Sequence, residues 1–434
     1  MELSEHLFRR EAGRLIAAMT RVFGVHNLAL AEDVVQDAFC SALETWSFRG
    51  VPDNPGAWLM AAAKHRALDV LRRERTARTH APEIGRLLES EWTLATVVEE
   101  LLTGNAIKDD LLRMMFSCCD PRLTEDAQIA LILQILCGFS VAEVASAFVI
   151  THAAAEKRIT RAKTVLATSK KLFDVADPAE FTARLPAVHR ALYLLFNEGY
   201  HGASEKWPVR TELCREAMRL AAALIEHPQG RTQSTYALAA LMALDAARLP
   251  ARINPSGELT PLAEQDRSIW DRTLIAEGLA FLALSAPSAQ PCEYHIEAAI
   301  ASIHTCSPSA DETDWESIVS LYDALFRLRP SPIVALNRAI AIAQHEGPVR
   351  GLDEIRLIED CDRLAAYPFY SAAIGELEQR CGRRAAARQH FKAAGSLARN
   401  AMERRFLERR ERDCDGEDPA NSAGPCVTRP APES

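Results

Sequence analysis

Apolar residues recur at helical spacing along almost the whole chain, and this periodicity limits the fold more than any other feature. We find no convincing run with the alternation of apolar and polar residues that a half-buried strand requires. Glycine and proline breaks, such as Gly24, Gly50–Asp53 and Gly138, separate the periodic stretches. The sequence therefore predicts an all-α protein.

The breaks delimit a series of predicted helices. In the first part of the chain these cover 5–23, 28–46, 54–75, 106–118, 124–137, 141–148 and 152–170. In the second part they cover 183–199, 208–226, 232–248, 266–285, 293–304, 313–328, 333–345, 349–358, 366–380 and 383–411. Paired helices at this spacing favour an α-solenoid, and the stretch 333–411 resembles tetratricopeptide repeats most closely.

A chain of 434 residues is long for one domain, and we predict five segments. Residues 5–75 and 106–170 form two small helical domains, joined by a linker over 76–105. A tetratricopeptide-like helical extension covers 180–412. The polar residues 413–434 are expected to be a disordered tail.

Composition points to the cytoplasm. No stretch approaches the roughly 20 apolar residues that cross a bilayer, and the acidic N-terminus lacks the layout of a secretion signal. The eleven cysteines include no Cys-x-x-Cys pair, and Cys118 and Cys119 are adjacent. We therefore expect reduced cysteines packed as small hydrophobes, with no metal and no cofactor.

The net charge of −9 conceals two basic islands. Residues 64–78 carry six cationic side chains against two anionic ones, a local charge of +4. Residues 156–171 carry six against one, a local charge of +5, so the rest of the chain carries −18. Local positive potential of this kind favours phosphate binding, because attraction depends on nearby charge and not on the total.

The second island belongs to a predicted helix-turn-helix over 138–166. Ser140 caps a short helix, and the small Ala145 allows the next helix to approach closely. On that second helix Ala155, Ile159 and Ala162 face inward. The outward candidates for DNA contact are Thr151, His152, Glu156, Lys157, Arg158, Thr160, Arg161 and Lys163. The alternative is an ordinary helical hairpin with a solvated face, but the concentrated basic charge favours DNA binding.

The first island follows an acidic helix. The stretch 28–46 carries an acidic stripe beside an apolar one, so a protein partner is a better inference for it than DNA. The next helix, 54–75, carries the first basic island and is only a weak signal alone, because charged helix faces are usually just solvated. Its candidates for DNA contact are Asn54, Lys64, Arg66, Asp69, Arg72, Arg73 and Arg75.

These parts, in this order, resemble the extracytoplasmic-function sigma factors of the sigma-70 family. The residues that carry the resemblance to region 2 are Ala31–Phe39, Pro55–Leu59 and Leu68–Arg73. The helix-turn-helix is similar to region 4 of the same family. Further motifs resemble the subgroup with a C-terminal tetratricopeptide-like extension: Leu195–Tyr200, Pro208–Arg210, Glu264–Arg267, Trp270–Asp271 and Ala335–Ala339.

The resemblance implies a promoter-specificity subunit of RNA polymerase that catalyses nothing itself. Region 2 would bind the polymerase β′ clamp through the acidic helix, and region 4 would bind the β flap. The residues expected on the clamp are Glu32, Asp33, Gln36 and Asp37. The basic helix of region 2 would open the −10 element while the loop Gly50–Asn54 holds a flipped base, and region 4 would read the −35 element. The extension would be regulatory, with a small protein as its partner.

Several alternatives stay open at this point. The chain could be an autonomous helix-turn-helix regulator, or it could house an enzyme in its C-terminal half. Asn197–His201, with His189 upstream, could be a metal or acid–base cluster, although we favour a structural loop that joins two helices. The extension could mask the basic helices or brace them, and Trp270 and Trp315 favour a stiff brace. Ala153–Ala155 cannot hydrogen-bond bases, so recognition there would depend on thymine methyls, phosphates and DNA shape.

Overall fold

The helical periodicity is realised throughout the computed structural model, which describes residues 2–77, 109–148, 150–168, 178–202, 209–254, 257–286 and 291–415. These ranges contain no strand, and their one isolated β-bridge joins Ile253 to Leu259. The prediction of an all-α protein is confirmed. Most of the predicted linker, and the tail beyond Asp415, lie outside the described residues.

Two compact units make up the chain, and each is described separately. The first takes in Met1–Gly202 and Val209–Met242. Its helices are α1 Glu2–Phe23, α2 Leu28–Arg49, α3 Pro55–Ala77, α4 Asp110–Cys118, α5 Glu125–Ile135, α6 Val141–Phe148, α7 His152–Ala167, α8 Pro178–His201 and α9 Thr211–Glu226. This unit therefore contains both predicted N-terminal domains and the first helices of the predicted extension.

The second unit takes in Ala203–Pro208 and Ala243–Ser434, and α10 Gln233–Ala246 leads into it. Its helices are α11 Arg272–Ser285, α12 Glu293–Cys306, α13 Trp315–Leu328, α14 Pro332–His345, α15 Pro348–Arg356, α16 Pro368–Arg380, α17 Arg384–Ser396 and α18 Ala401–Asp413. Each helix from α11 onward packs on its neighbour in sequence. The predicted helix over 383–411 is wrong, because it is two helices, and the Asn400 side chain caps the second by accepting from the Glu403 N–H at 2.9 Å.

The core of the first unit lies where α1, α4, α5 and α8 meet. Leu15 on α1, Leu112 and Phe116 on α4, Ile132 on α5 and Leu192 on α8 are all almost completely buried. Burying a large apolar side chain contributes about 1.5–3 kcal/mol, so this shared core holds the two N-terminal domains against the first extension helix.

The cysteines agree with the expectation of small buried hydrophobes. Cys118 and Cys119 are buried at the end of α4, and the Cys119 thiol donates to the Met115 carbonyl at 3.3 Å. Burial raises the pKa of Cys119 to about 12, so this thiol keeps its proton at neutral pH. All the cysteines in the described ranges are free thiols.

Over the part of the chain that the structure describes, no helix combines the length and apolar character that crossing a bilayer demands.

Candidate nucleic-acid interface

Helix α2 buries one face and presents its acidic residues on the other. Val34, Val35 and Ala38 are buried, while Asp33 and Gln36 are exposed. The other two residues predicted to bind the polymerase are already engaged within the protein. Glu32 is paired with Lys163 of α7, with 2.8 Å between Oε1 and Nζ, and Asp37 is paired with Arg66 of α3.

Helix α3 carries the predicted DNA contacts of the first basic island. The Arg66 Nε lies 2.5 Å from Asp37 Oδ2, so this guanidinium is oriented by the acidic helix beside it. Lys64 is half-buried and Asp69 is exposed on the same helix. The side chains of Arg72, Arg73 and Arg75 lie outside the described part of the chain, although the α3 backbone continues to Ala77.

The loop before α3 joins two features. The Asn54 Oδ1 accepts from the Ala57 N–H at 3.0 Å and so caps the helix, as its position before Pro55 predicted. Phe48, near the end of α2, is 92% exposed, and Val51 beside it is also exposed. The sequence analysis missed Phe48, because its only signal is a position off the buried stripe of α2. An aromatic ring held in solvent beside a loop is suited to stacking on an unpaired base.

The predicted helix-turn-helix is formed by α6 and α7. The Ser140 hydroxyl accepts from the Glu143 N–H at 3.2 Å, and the Glu143 carboxylate accepts from the Ser140 N–H at 2.7 Å, a reciprocal cap. Ala145 of α6 is buried against α7. On α7 the three residues predicted to face inward, Ala155, Ile159 and Ala162, are buried.

The exposed face of α7 brings together five of the eight predicted region 4 contacts: His152, Glu156, Lys157, Thr160 and Arg161. The remaining three make contacts within the protein. The Thr151 hydroxyl caps α7 by accepting from the Ala154 N–H at 3.3 Å. Arg158 lies 3.2 Å from an oxygen of Asp126 and 5.1 Å from the centre of the Phe148 ring, and Lys163 binds Glu32.

A buried ionic cluster joins the helix-turn-helix to the extension. Arg210, immediately before α9, has its side chain only 2% exposed. One terminal nitrogen lies 2.9 Å from Glu143 of α6, and the other lies 2.6 Å from Glu198 of α8. The carboxylates are themselves 8% and 6% exposed. Sequence reasoning missed this cluster, because Glu143 and Arg210 are far apart in the chain and no local pattern links them.

The segment Asn197–His201 is helical, so our preference for a loop there is wrong. It forms the last turns of α8, where Gly199 allows α9 to approach: a Cβ on Gly199 would lie 2.7 Å from the Cys214 sulfur. His189, one turn of the argument for a metal cluster, instead lies 2.9 Å from the Thr235 hydroxyl. No group of three or more metal-ligating side chains occurs in the ranges that the structure describes.

Comparison with known proteins gives three findings. Residues 7–77 match sigma-70 region 2, and residues 184–286 match a family of unknown function, DUF6596. An uncharacterized protein of Rhizobium meliloti (strain 1021) is 37% identical over 392 residues, which cover 90% of this chain and 91% of that protein. No solved structure matches the chain.

Proposed function

The chain belongs to the sigma-70 family through its region 2, and to the same family as the Rhizobium meliloti protein over nine tenths of its length, and on this basis we propose that it is an RNA polymerase sigma factor of the extracytoplasmic-function type. It binds core polymerase and promoter DNA, directs initiation and catalyses no reaction itself. The observation that carries the proposal is the pairing of a sigma-70 region 2 with a helix-turn-helix whose outer face is basic and exposed.

The region 2 half of the proposal rests on α2 and α3. Asp33 and Gln36 are exposed on α2 and available to the polymerase β′ clamp, while Arg66 on α3 faces the same acidic helix. The exposed Phe48 ring lies close to the loop Gly50–Asn54, where it can stack on a base that leaves the duplex. Melting by capture is economical, because an unpaired base regains stacking and hydrogen bonds in such a site.

The region 4 half rests on α7. Lys157 and Arg161 are one helical turn apart on the exposed face, where they can reach phosphates or guanine edges of the −35 element. Ala153 is exposed beside them, which leaves room for close approach to the groove and to thymine methyls.

The extension braces region 4 in this proposal. Arg210 neutralises Glu143, a residue of the first helix of the helix-turn-helix, and does so in a site closed to solvent. A chain truncated near Asp177 would lose Arg210 and leave Glu143 without this cation. Bracing therefore accounts for the buried cluster better than masking does. Stacked helices in the second unit are consistent with a tetratricopeptide-like scaffold, to which a small regulatory protein would bind.

Run-off transcription with core polymerase tests the proposal. Full-length chain should direct transcription from the promoter upstream of its own gene, and Lys157→Ala/Arg161→Ala should abolish it. Each lost phosphate contact should also make DNA affinity less steeply dependent on salt, by about 0.9 log unit per log unit of salt. The matched control is Arg356→Ala, which removes an exposed cation from α15 of the second unit. Equal transcription by the two variants would refute the role of α7.

The same assay separates the proposal from an autonomous regulator. A sigma factor stimulates core polymerase on a promoter that core alone does not use. Tight binding to duplex DNA with no stimulation of core polymerase would favour the autonomous regulator instead.

A further inference from the structure

Region 2 and region 4 contact each other through the two helices that are proposed to bind polymerase and DNA. The Lys163 ammonium of α7 lies 2.8 and 3.0 Å from the two carboxylate oxygens of Glu32 on α2. Helix α7 also packs on the short turn Val25–Asn27 and on α2 itself. Both side chains of the pair are largely withdrawn from solvent, at 33% and 25% exposure. A residue expected to bind polymerase and one expected to bind DNA therefore occupy each other.

A closely packed seam lies beneath this ion pair. Gly13 of α1 is buried against the chain after α5, where a Cβ on Gly13 would lie 1.9 Å from the Leu136 carbonyl oxygen. Arg14, the next residue, has a nitrogen 3.2 Å from Glu216 of α9. Arg21, two turns further, lies 3.2 Å from Asp110 at the start of α4. Helix α1 of region 2 is thus seated directly on region 4 and on the first extension hairpin.

This arrangement is incompatible with simultaneous reading of both promoter elements. The −10 and −35 elements are named for positions about 25 base pairs apart, which is about 85 Å of B-DNA. In the closed arrangement the corresponding helices, α2 with α3 and α7, are joined by direct contact. The 32 peptide steps from Ala77 to Asp109 can extend to about 110 Å, so the covalent connection permits separation.

We propose that the unbound chain is closed along this seam and that it opens at Gly13 when polymerase and promoter bind. Region 2 then separates from region 4, and α8 and α9 stay with region 4 because Arg210 joins them to α6. Closure restrains the free chain from engaging both elements and releases Glu32 and Lys163 together on opening. The inference rests on the proposed function, which it extends from what the chain binds to how binding is controlled.

The Glu32–Lys163 pair supplies its own reporter. A water-soluble carbodiimide joins a carboxylate to an amine only when the two are in contact, and the amide is then identified by peptide mass spectrometry. The free chain should give the Glu32–Lys163 crosslink, and the chain bound to core polymerase on promoter DNA should lose it. A crosslink of undiminished yield in the transcribing complex would overturn the proposal.

Two full-length variants should open the seam without touching either binding surface. Gly13→Ala favours the α1 helix by propensity but places a methyl group inside the Leu136 carbonyl, so crosslink yield should fall roughly tenfold, the consequence of overpacking a tight contact. Arg14→Glu sets two carboxylates against each other at Glu216 and should also reduce the yield, and Arg350→Glu in the second unit is its matched control. Circular dichroism checks that each variant is folded.

The functional consequence is measured without polymerase. The closed wild type should bind a DNA carrying an unpaired −10 strand and a duplex −35 element no better than the −35 duplex alone. Gly13→Ala should prefer the two-element DNA, since linked sites bind together once both can reach. Full crosslink yield in both opening variants would also overturn the proposal. The crosslink reports closure whether or not the chain initiates transcription, so failure of the sigma-factor assignment is separately visible.

Discussion

Replacing Arg210 with methionine should loosen region 4 without altering any residue on its DNA-facing surface. Methionine retains much of the apolar stem and removes the charge, so the effect isolates the ion pairs with Glu143 and Glu198. All three side chains are at most 8% exposed, and both distances are hydrogen-bonding distances. Removing one partner from a buried ionic cluster costs about 3–5 kcal/mol, because the remaining charges are stranded away from water.

Arg350 supplies a matched control. It also binds two carboxylates, those of Glu346 and Glu354, but its side chain is 50% exposed. Exposed pairs of this kind contribute about 0–1 kcal/mol, so Arg350→Met should be nearly silent. The two arginines make the same number of ion pairs and differ in burial, and the prediction is that burial alone decides the cost.

Hydrogen exchange on the full chain measures the difference segment by segment, which avoids treating a multi-unit protein as two-state. Arg210→Met should lower the opening free energy of amides in α6, α8 and α9 by about 3–5 kcal/mol, and it should leave α14 of the second unit unchanged. DNA binding by region 4 should weaken in parallel. If Arg210→Met and Arg350→Met protect α6 equally well, Arg210 does not brace the helix-turn-helix.

Two further predictions concern a buried histidine and the acidic helix. Burial lowers the pKa of His189 to about 4, below the roughly 6.5 of an unfolded chain, so the unfolded state binds the proton first. Stability should be complete above pH 6.5 and fall between pH 6.5 and 4, by about 2 kcal/mol at pH 5, and His189→Gln should remove this component from acid unfolding followed by circular dichroism. Asp33→Arg should weaken binding to core polymerase in a pull-down by roughly tenfold, as loss of a steering charge does, whereas Glu44→Arg, also exposed on α2, should not; equal weakening would contradict the assignment.

The elements that sequence predicted well are those governed by local periodicity. The helix-turn-helix is an example, because Ala155, Ile159 and Ala162 repeat at helical spacing and all three are buried. Helix ends marked by a cap were also predictable, as at Asn54. The missed break in the predicted helix over 383–411 had such a signal, since Asn400 followed by Glu403 is a typical start of a helix.

Alanine-rich faces were harder to predict. For α3 we expected Trp58, Ala62, Leu68 and Leu71 on the buried side together with Leu59. The residues that are almost fully buried are Leu59, Ala63 and Ala67, while Trp58 and Leu68 are only half-buried. Small side chains allow helices to approach closely, and a hydrophobicity pattern gives alanine too little weight to show which face does so.

The partners of buried charges could not be predicted. Glu143 looks like an ordinary first-turn carboxylate, and one of its oxygens does cap α6. Its other oxygen binds Arg210, on the far side of the predicted domain boundary. Such a pair is specified by tertiary packing, and no local spacing records it. The same holds for Lys163, which the exposed-face pattern assigned to DNA and which binds Glu32.

The two sets of contacts around region 4 differ in strength, and that difference determines where the chain separates. The joint to the extension depends on Arg210, which is 2% exposed and bound to carboxylates that are hardly more accessible. The seam to region 2 depends on Lys163 with Glu32 and on Arg14 with Glu216, whose cations are 33% and 40% exposed. Salt screens exposed pairs within about 8–10 Å at physiological ionic strength, and buried pairs much less. Added salt, or competing charge from DNA and polymerase, therefore weakens the seam first, and region 4 leaves region 2 with the extension still attached.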